Sequence, residues 1–222
     1  MNPAHMPQGV IFDMDGVLVD SGRAHHESWR ALARRFGIEI SEERFKASFG
    51  QPSRDIIRLI WGDVSDDDVR RYDAEKEAIY RDLIRGRVPL MPGCRALLTR
   101  LRAAGLVLAV ATSGPPENLE LVLRAGGLTD DFAATVHGFD IQHGKPAPDC
   151  FVLAAERIGL PPASCVVVED APVGVRAGVA AGMKVIGLAG THPPAPLAAA
   201  GAAQVVAHLD DITPETVLAL LR

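Results

Sequence analysis

Cysteine is scarce in this chain of 222 residues: Cys94, Cys150 and Cys165 are too few and too scattered for a disulfide framework, and no C-x-x-C pair offers a zinc site. They are read as reduced core thiols, which suits a reducing cytoplasm. Long apolar runs are missing as well. No stretch approaches the roughly 20 residues needed to span a bilayer, and residues 1–9 show no basic start followed by an apolar run, so the expectation is a soluble, cytoplasmic protein with no membrane association. Positive charge is not in excess either, with 23 Lys and Arg against 28 Asp and Glu, a net of -5. That balance argues against a role in holding nucleic acid and makes small molecules the expected partners. No internal repeat and no coiled-coil heptad appears, so nothing specifies an oligomeric state.

What is present is a chain long enough to bury a sizeable core, 48% hydrophobic, with two kinds of patterning. Val10, Ile11 and Phe12 form a short apolar run that ends abruptly in Asp13-Met14-Asp15-Gly16, the pattern of a buried strand opening into a polar loop. From residue 24 to about 85 the spacing is helical only: Trp29, Leu32, Ala33 and Phe36 recur, then Ile56, Ile57, Leu59 and Ile60, punctuated by Gly37, Gly50 and Gly62. Beyond Pro89 strands and helices alternate, with helices expected at 95–103, 117–124, 149–158 and 173–181 and strands at 107–111, 166–168 and 184–188. The Ala- and Pro-rich stretch 193–203 reads as a surface helix with its connections. Such alternation predicts an α/β fold: a doubly wound parallel sheet, formed by residues 1–19 and 90–222, with a helical domain of residues 20–89 inserted directly after strand one. The insert carries 14 basic and 14 acidic residues and is neutral, so the whole net charge sits on the α/β part.

In open α/β sheets ligands bind beyond the carboxyl ends of the strands, and the polar residues that follow each apolar run form a coherent set. Strand one delivers Asp13 and Asp15, the strand at 107–111 delivers Thr112 and Ser113, a loop carries Lys145, and the strand at 166–168 delivers Glu169 and Asp170. Other readings of the pieces fail. A calcium loop from Asp13 would need Gly where Leu18 stands and Glu where Ala24 stands. Ala111 and Pro115 occupy the glycine positions of a G-x-S-x-G elbow, and Pro146 replaces the Ser or Thr of a phosphate-cradling Gly144-Lys145 loop. Gly174, Gly178 and Gly182 repeat every four residues, which is not a dinucleotide fingerprint and reads as close packing of a helix on the sheet.

Together the set suits phosphoryl transfer, which needs a nucleophile, neutralisation of phosphate oxygens and management of one proton. Asp13 is the candidate nucleophile, kept ionised by a divalent cation and by Lys145. Oxygen donors from Asp13, Asp170 and the backbone carbonyl of Asp15 suit Mg²⁺. Thr112, Ser113 and the amides after strand one can donate to the transferring group, and Asp15 is placed to act as the acid and then the base.

The stretches from Asp13 to Ser21, Thr112-Ser113, Gly144 to Asp149 and Glu169-Asp170 resemble, in order, the four motifs of the haloacid dehalogenase superfamily. The resemblance spans nearly the whole chain and implies a Rossmann-like core, a helical cap after strand one, Mg²⁺, and an aspartyl-phosphate intermediate. It also implies that Asp170 binds the metal directly and that Glu169 binds the metal or one of its waters. The dehalogenases of that superfamily attack carbon and lack a second aspartate two residues after the nucleophile, so Asp15 points to phosphoryl chemistry.

The helical insert, with Asp20-Ser21, His25 and Trp29 and then the run from Gly50 to Asp55, resembles the β-phosphoglucomutase-like branch, which holds both sugar-phosphate mutases and phosphatases. Within it Arg54 and His25 are the candidate substrate-binding residues; adjacent His25, His26 and Glu27 point in different directions on a helix and cannot share a metal. The mutases carry Ser-Lys shortly after motif two, where this chain has Gly114-Pro115. That departure favours a phosphatase acting on a small phosphorylated metabolite, with a mutase as the alternative. A phosphonate hydrolase would need a cap lysine, Lys46 or Lys76 being the only candidates, and a silent binding protein would be expected to lose motif residues that are all retained.

Overall fold

The computed structural model describes residues 7–41 and 53–222. The chain divides into two compact units, Met1–Asp20 with Pro89–Arg222, and Ser21–Val88.

The first unit is built on a six-stranded, wholly parallel sheet of β1 (Gly9–Phe12), β2 (Val107–Ala111), β3 (Ala134–Val136), β4 (Cys165–Glu169), β5 (Lys184–Leu188) and β6 (Gln204–Val206), in the order β3-β2-β1-β4-β5-β6. The order reverses between β1 and β4, so β1 sits in the middle with β2 on one side and β4 on the other. Central strands of such a sheet are covered on both faces, which is why β1 and β4 are buried throughout and read as unbroken apolar runs. Helices α4 (Cys94–Ala103), α5 (Pro116–Ala125), α6 (Asp149–Arg157), α7 (Pro172–Ala180), α8 (Pro194–Ala199) and α9 (Pro214–Leu220) connect or follow the strands. The doubly wound parallel sheet expected from the alternation is therefore present.

Two strands escaped the sequence reading, β3 and β6. Each has three residues at an edge of the sheet, and a run as short as Ala-Thr-Val or Gln-Val-Val carries no usable period. The three cysteines are free and buried, as expected of core thiols.

Of the glycines repeating every four residues, only Gly178 does what its spacing suggested: a Cβ there would stand 2.7 Å from Val185 Cγ2 and 3.4 Å from Val167 Cβ, so its absence lets α7 lie on β4 and β5. Gly182 is instead the left-handed residue after the helix, φ 77°, closing a double turn in which the Gly182 and Met183 N–H groups donate to the Val179 and Gly178 carbonyls. Gly174 serves the site described below.

The second unit is helical in its described residues: α1 (Gly22–Arg34), α2 (Ser53–Trp61) and α3 (Asp66–Ile84). Trp29, Leu32, Ala33, Ile40, Ile56, Ile57 and Tyr72 form its core. Ser65 caps α3 by accepting the Asp68 N–H, and Asp66, Asp67 and Asp68 place negative charge at the positive end of the helix. No described helix is long and apolar enough to cross a membrane.

Replacing Gly178 with Val forces a branched side chain between α7 and the sheet. The expected cost is about 1–3 kcal/mol, read as a lowered urea midpoint with an unchanged slope; an unshifted midpoint would show that the helix rides clear of the strands.

Candidate active site

The carboxyl ends of β2, β1 and β4 bring the sequence-predicted core residues into one place. Register pairs Phe12 with both Val110 and Val168, so Asp13 and Glu169 leave their strands at the same level. The Asp13 N–H donates to the Val168 carbonyl at 3.0 Å, which prolongs the ladder by one bond and fixes the aspartate at the strand end. After it the chain turns sharply: the N–H groups of Leu18 and Val19 both reach the Met14 carbonyl, and Gly16 adopts φ 78°. Val19 then bridges Leu90, and Asp20 N–H donates to the Pro89 carbonyl at 2.8 Å, so the two chain segments at residues 18–20 and 89–91 are stitched together.

Lys145 ties the set together. Its Nζ donates to Asp13 Oδ1 at 2.5 Å and to Glu169 Oε1 at 2.7 Å, and lies 4.8 Å above the Phe151 ring. Glu169 uses its other oxygen to accept the Ala171 N–H at 2.8 Å. A Cβ on Gly174 would collide with this carboxylate, so Gly174 makes the space that Glu169 occupies; its role is at the site and not in sheet packing.

Thr112 is buried, its N–H donates to the Val136 carbonyl, and its hydroxyl oxygen accepts the Gly114 N–H at 3.0 Å, which leaves the hydroxyl proton to be given elsewhere. Ser113, next along, is exposed. The Gly114 carbonyl accepts the Gly138 N–H at 2.9 Å, and a side chain on Gly138 would strike the Ser113 carbonyl. The loop after β3 thus buttresses the loop after β2, a contact invisible in sequence because β3 itself was not legible.

Electrostatically the site holds more negative charge than it neutralises. Asp13, Glu169 and Asp170 are all buried against one ammonium. Burial, with help from the Glu169 and Asp15 charges, pushes the Asp13 carboxyl up to about 7 despite the opposing pull of Lys145. Burial, then the charges of Glu169 and Asp13, raises Asp170 well above the carboxylate range. Burial works against the Lys145 charge, but Asp13 and Glu169 outweigh it and hold the ammonium well above its ordinary value.

These are the properties of a site suited to a hard divalent cation: oxygen donors only, and a surplus of buried negative charge that a cation would offset. Among the described residues no three His, Cys, Asp or Glu side chains converge to hold a metal by themselves. Both Glu169 oxygens already accept hydrogen bonds. The donors that fit are the Asp13 and Asp170 carboxylates with the Asp15 backbone carbonyl, and Mg²⁺ takes few protein ligands and several waters. In the metal set Asp13, Asp15, Asp170 and Glu169, Glu169 therefore suits a water-mediated place.

The helical unit holds the other two candidates. His25 is stacked flat on Tyr80, with centroids 4.0 Å apart, and its Nδ1 lies 2.7 Å from Lys76 Nζ. Lys76 is itself buried, bound to Glu77 Oε1 at 2.7 Å and 5.3 Å from the Trp29 ring centroid. Sequence spacing could not have paired His25 with a lysine 51 positions away. Arg54 is exposed near the start of α2, its Nε 3.7 Å from Asp55 Oδ1. Lys46 and the run Gly50-Gln51-Pro52 lie outside the described residues.

The family description haloacid dehalogenase-like hydrolase matches residues 7–182. The chain belongs to that family. It is similar to hexitol phosphatase A of Escherichia coli (strain K12), 36% identical over 179 residues, 81% of this chain and 82% of that protein. It is also similar to the β-phosphoglucomutase of Bacillus subtilis (strain 168), 32% identical over 220 residues, 94% of this chain and 92% of that one. Among solved structures, a HAD hydrolase of family IA, variant 3, from Entamoeba histolytica HM-1:IMSS superposes with a TM-score of 0.89 at 27% identity, over 96% of this chain and 99% of that one. The haloacid dehalogenase resemblance and its β-phosphoglucomutase-like and sugar-phosphatase branch are thus borne out, and the protein is a hydrolase of the phosphatase-bearing part of the family.

The raised carboxyls have a consequence for stability. A carboxyl whose folded pKa lies above its unfolded value stabilises the fold fully below about 3.8 and loses that contribution as pH rises through about 7. Without metal, the Tm of the wild type should therefore fall relative to that of Asp13→Asn between about pH 4 and about pH 7. A Tm difference that stays constant across this range would contradict the charge crowding described here.

Proposed function

We propose that the protein is a Mg²⁺-dependent phosphatase of small phosphate monoesters, sugar phosphates being the substrate class, working through an aspartyl-phosphate on Asp13. The observation that carries this reading is the buried Asp13 carboxylate gripped by Lys145 at the end of the central strand, with Asp15 two residues on. The relatives named above, a sugar-alcohol phosphatase and a sugar-phosphate mutase, support the substrate class.

The Asp13 and Asp170 carboxylates with the Asp15 carbonyl would hold Mg²⁺, Glu169 standing behind them, and the cation would supply charge neutralisation on the phosphate oxygens. The residues do the rest. An Asp13 carboxylate oxygen attacks phosphorus in line, the ester P–O bond breaks, and Asp15 gives its proton to the leaving alcohol. Water then attacks the phosphoaspartate, its proton passes to Asp15, and the bond between phosphorus and Asp13 breaks to release inorganic phosphate. Lys145 holds Asp13 oriented, and the Thr112 hydroxyl proton and the exposed Ser113 are the donors for the transferring group. The helical unit governs substrate choice, with Arg54 and His25 as its contributing residues.

Hydrolysis is favoured over isomerisation by the loop after β2. A mutase must hold a second phosphate, and Gly114-Pro115 brings neither hydroxyl nor ammonium; the Gly114 N–H and carbonyl are spent on Thr112 and Gly138. The second reading, a sugar-phosphate mutase, is kept by the mutase relative that matches nearly the whole chain.

The deciding assay is phosphate release from a panel of sugar monophosphates and phosphoglycolate, with Mg²⁺ and with EDTA, beside conversion of β-glucose 1-phosphate to glucose 6-phosphate. Metal-dependent phosphate release, lost by on the order of a thousandfold or more in Asp13→Asn, is the expected result. Isomer conversion with little free phosphate would make it a mutase, and near-wild-type activity of Asp13→Asn would overturn the mechanism. Arg54→Ala should shift preference among physiological esters by roughly tenfold while sparing a generic aryl phosphate; equal loss on every substrate would remove Arg54 from substrate selection.

A further inference from the structure

Asp170 is contacted by a loop to which the sequence reading assigned no role, the connection between β5 and α8. The Thr191 hydroxyl stands beside the Asp170 carboxylate, both of them crowding the point where a Cβ on Gly16 would lie. One residue on, His192 Nδ1 lies 3.2 Å from the Asp170 backbone carbonyl oxygen. The same residue is therefore approached at its side chain and at its main chain by neighbours in sequence. The loop is tethered in turn, since the Ala189 N–H donates to the Val206 carbonyl at 2.8 Å and the Gly190 N–H to the His192 carbonyl at 3.1 Å.

A third segment closes on this spot. A Cβ built on Gly16 would collide with the Asp170 carboxylate and stand 2.9 Å from Thr191 Oγ1. Only a residue without a side chain, at φ 78°, lets the turn after Asp15, the Asp170 carboxylate and the Thr191 hydroxyl share the space. The convergence of the three is built into the backbone.

We propose that Thr191 is a positioning residue for the divalent cation: its hydroxyl pins the Asp170 carboxylate so that the remaining lone pairs are presented to the metal, while His192 steadies the main chain of the same residue. This rests on the metal-dependent reading given above. An aspartate with two free side-chain torsions would otherwise have to be oriented by the cation itself, at a cost in affinity. Hydrogen-bond partners standing behind metal ligands are typically worth about 10–100-fold in metal affinity.

The test is calorimetric titration of Mg²⁺ into chelator-treated wild type, Thr191→Val and Thr191→Ser at one pH, without substrate. Thr191→Val keeps the shape and loses the hydroxyl; it should weaken Mg²⁺ by about tenfold or more, while Thr191→Ser binds within about threefold of wild type. Thr191 is exposed, so the fold should survive either change, and Thr191→Ala replaces the Val variant if that one fails to fold. Equal affinity in wild type and Thr191→Val, or a Ser variant as weak as the Val one, would overturn the assignment while leaving the metal-dependent reading intact. A wild type that binds no Mg²⁺ would remove both.

Discussion

The arrangement depends on one buried ammonium. Lys145 bridges Asp13 and Glu169, residues that leave adjacent strands, and it does so from a loop 132 positions from the first and 24 from the second. Charges removed from water are expensive unless each is paired and hydrogen-bonded, and a buried pair broken at one end leaves the other uncompensated. The ion cluster therefore ties the position of the β1 carboxylate to that of β4 and to the approach of the Lys145 loop. It is also incomplete on its own, because Asp170 adds a third buried carboxylate next to a single lysine. Burial first, and this imbalance second, raise Asp13 and Asp170, and the surplus of negative charge is one that a cation would offset.

Much of the remaining construction consists of side chains left out. Gly174 provides room for Glu169, Gly16 for Asp170 and Thr191, and Gly138 for the Ser113 carbonyl. In each case a methyl group would meet an oxygen of the site or of the loop that supports it. The strands supply position through their register, and these glycines let the loops beyond the strand ends close to hydrogen-bonding distance. The loops after β3 and β5 thereby act on residues they do not adjoin in sequence, the first through the backbone of Ser113 and Gly114, the second on Asp170.

The helical unit follows a different logic. Its core is a set of aromatic and aliphatic side chains at helical spacing, and its polar interior is the group of His25, Lys76 and Glu77 against Tyr80 and Trp29. Lys76 is buried there, bonded to Glu77 and beside His25. The stacked His25 has a defined orientation that its sequence neighbours His26 and Glu27 do not share.

By itself the sequence determined the parallel sheet and the insertion after strand one, and it put forward Asp13, Asp15, Thr112, Lys145, Glu169 and Asp170 as candidates for one site. It could do so because long buried strands read as apolar runs and the residues that end them fall at the carboxyl edge of the sheet by topology alone. What only the tertiary structure decided are relations between distant segments: the edge strands β3 and β6, too short to carry a period; the engagement of both Glu169 oxygens; the true work of Gly174 and Gly182; the pairing of His25 with Lys76; and the approach of Thr191 and His192 to Asp170. These are contacts across tens to more than a hundred residues, and a local pattern records which groups are available without recording which of them will meet.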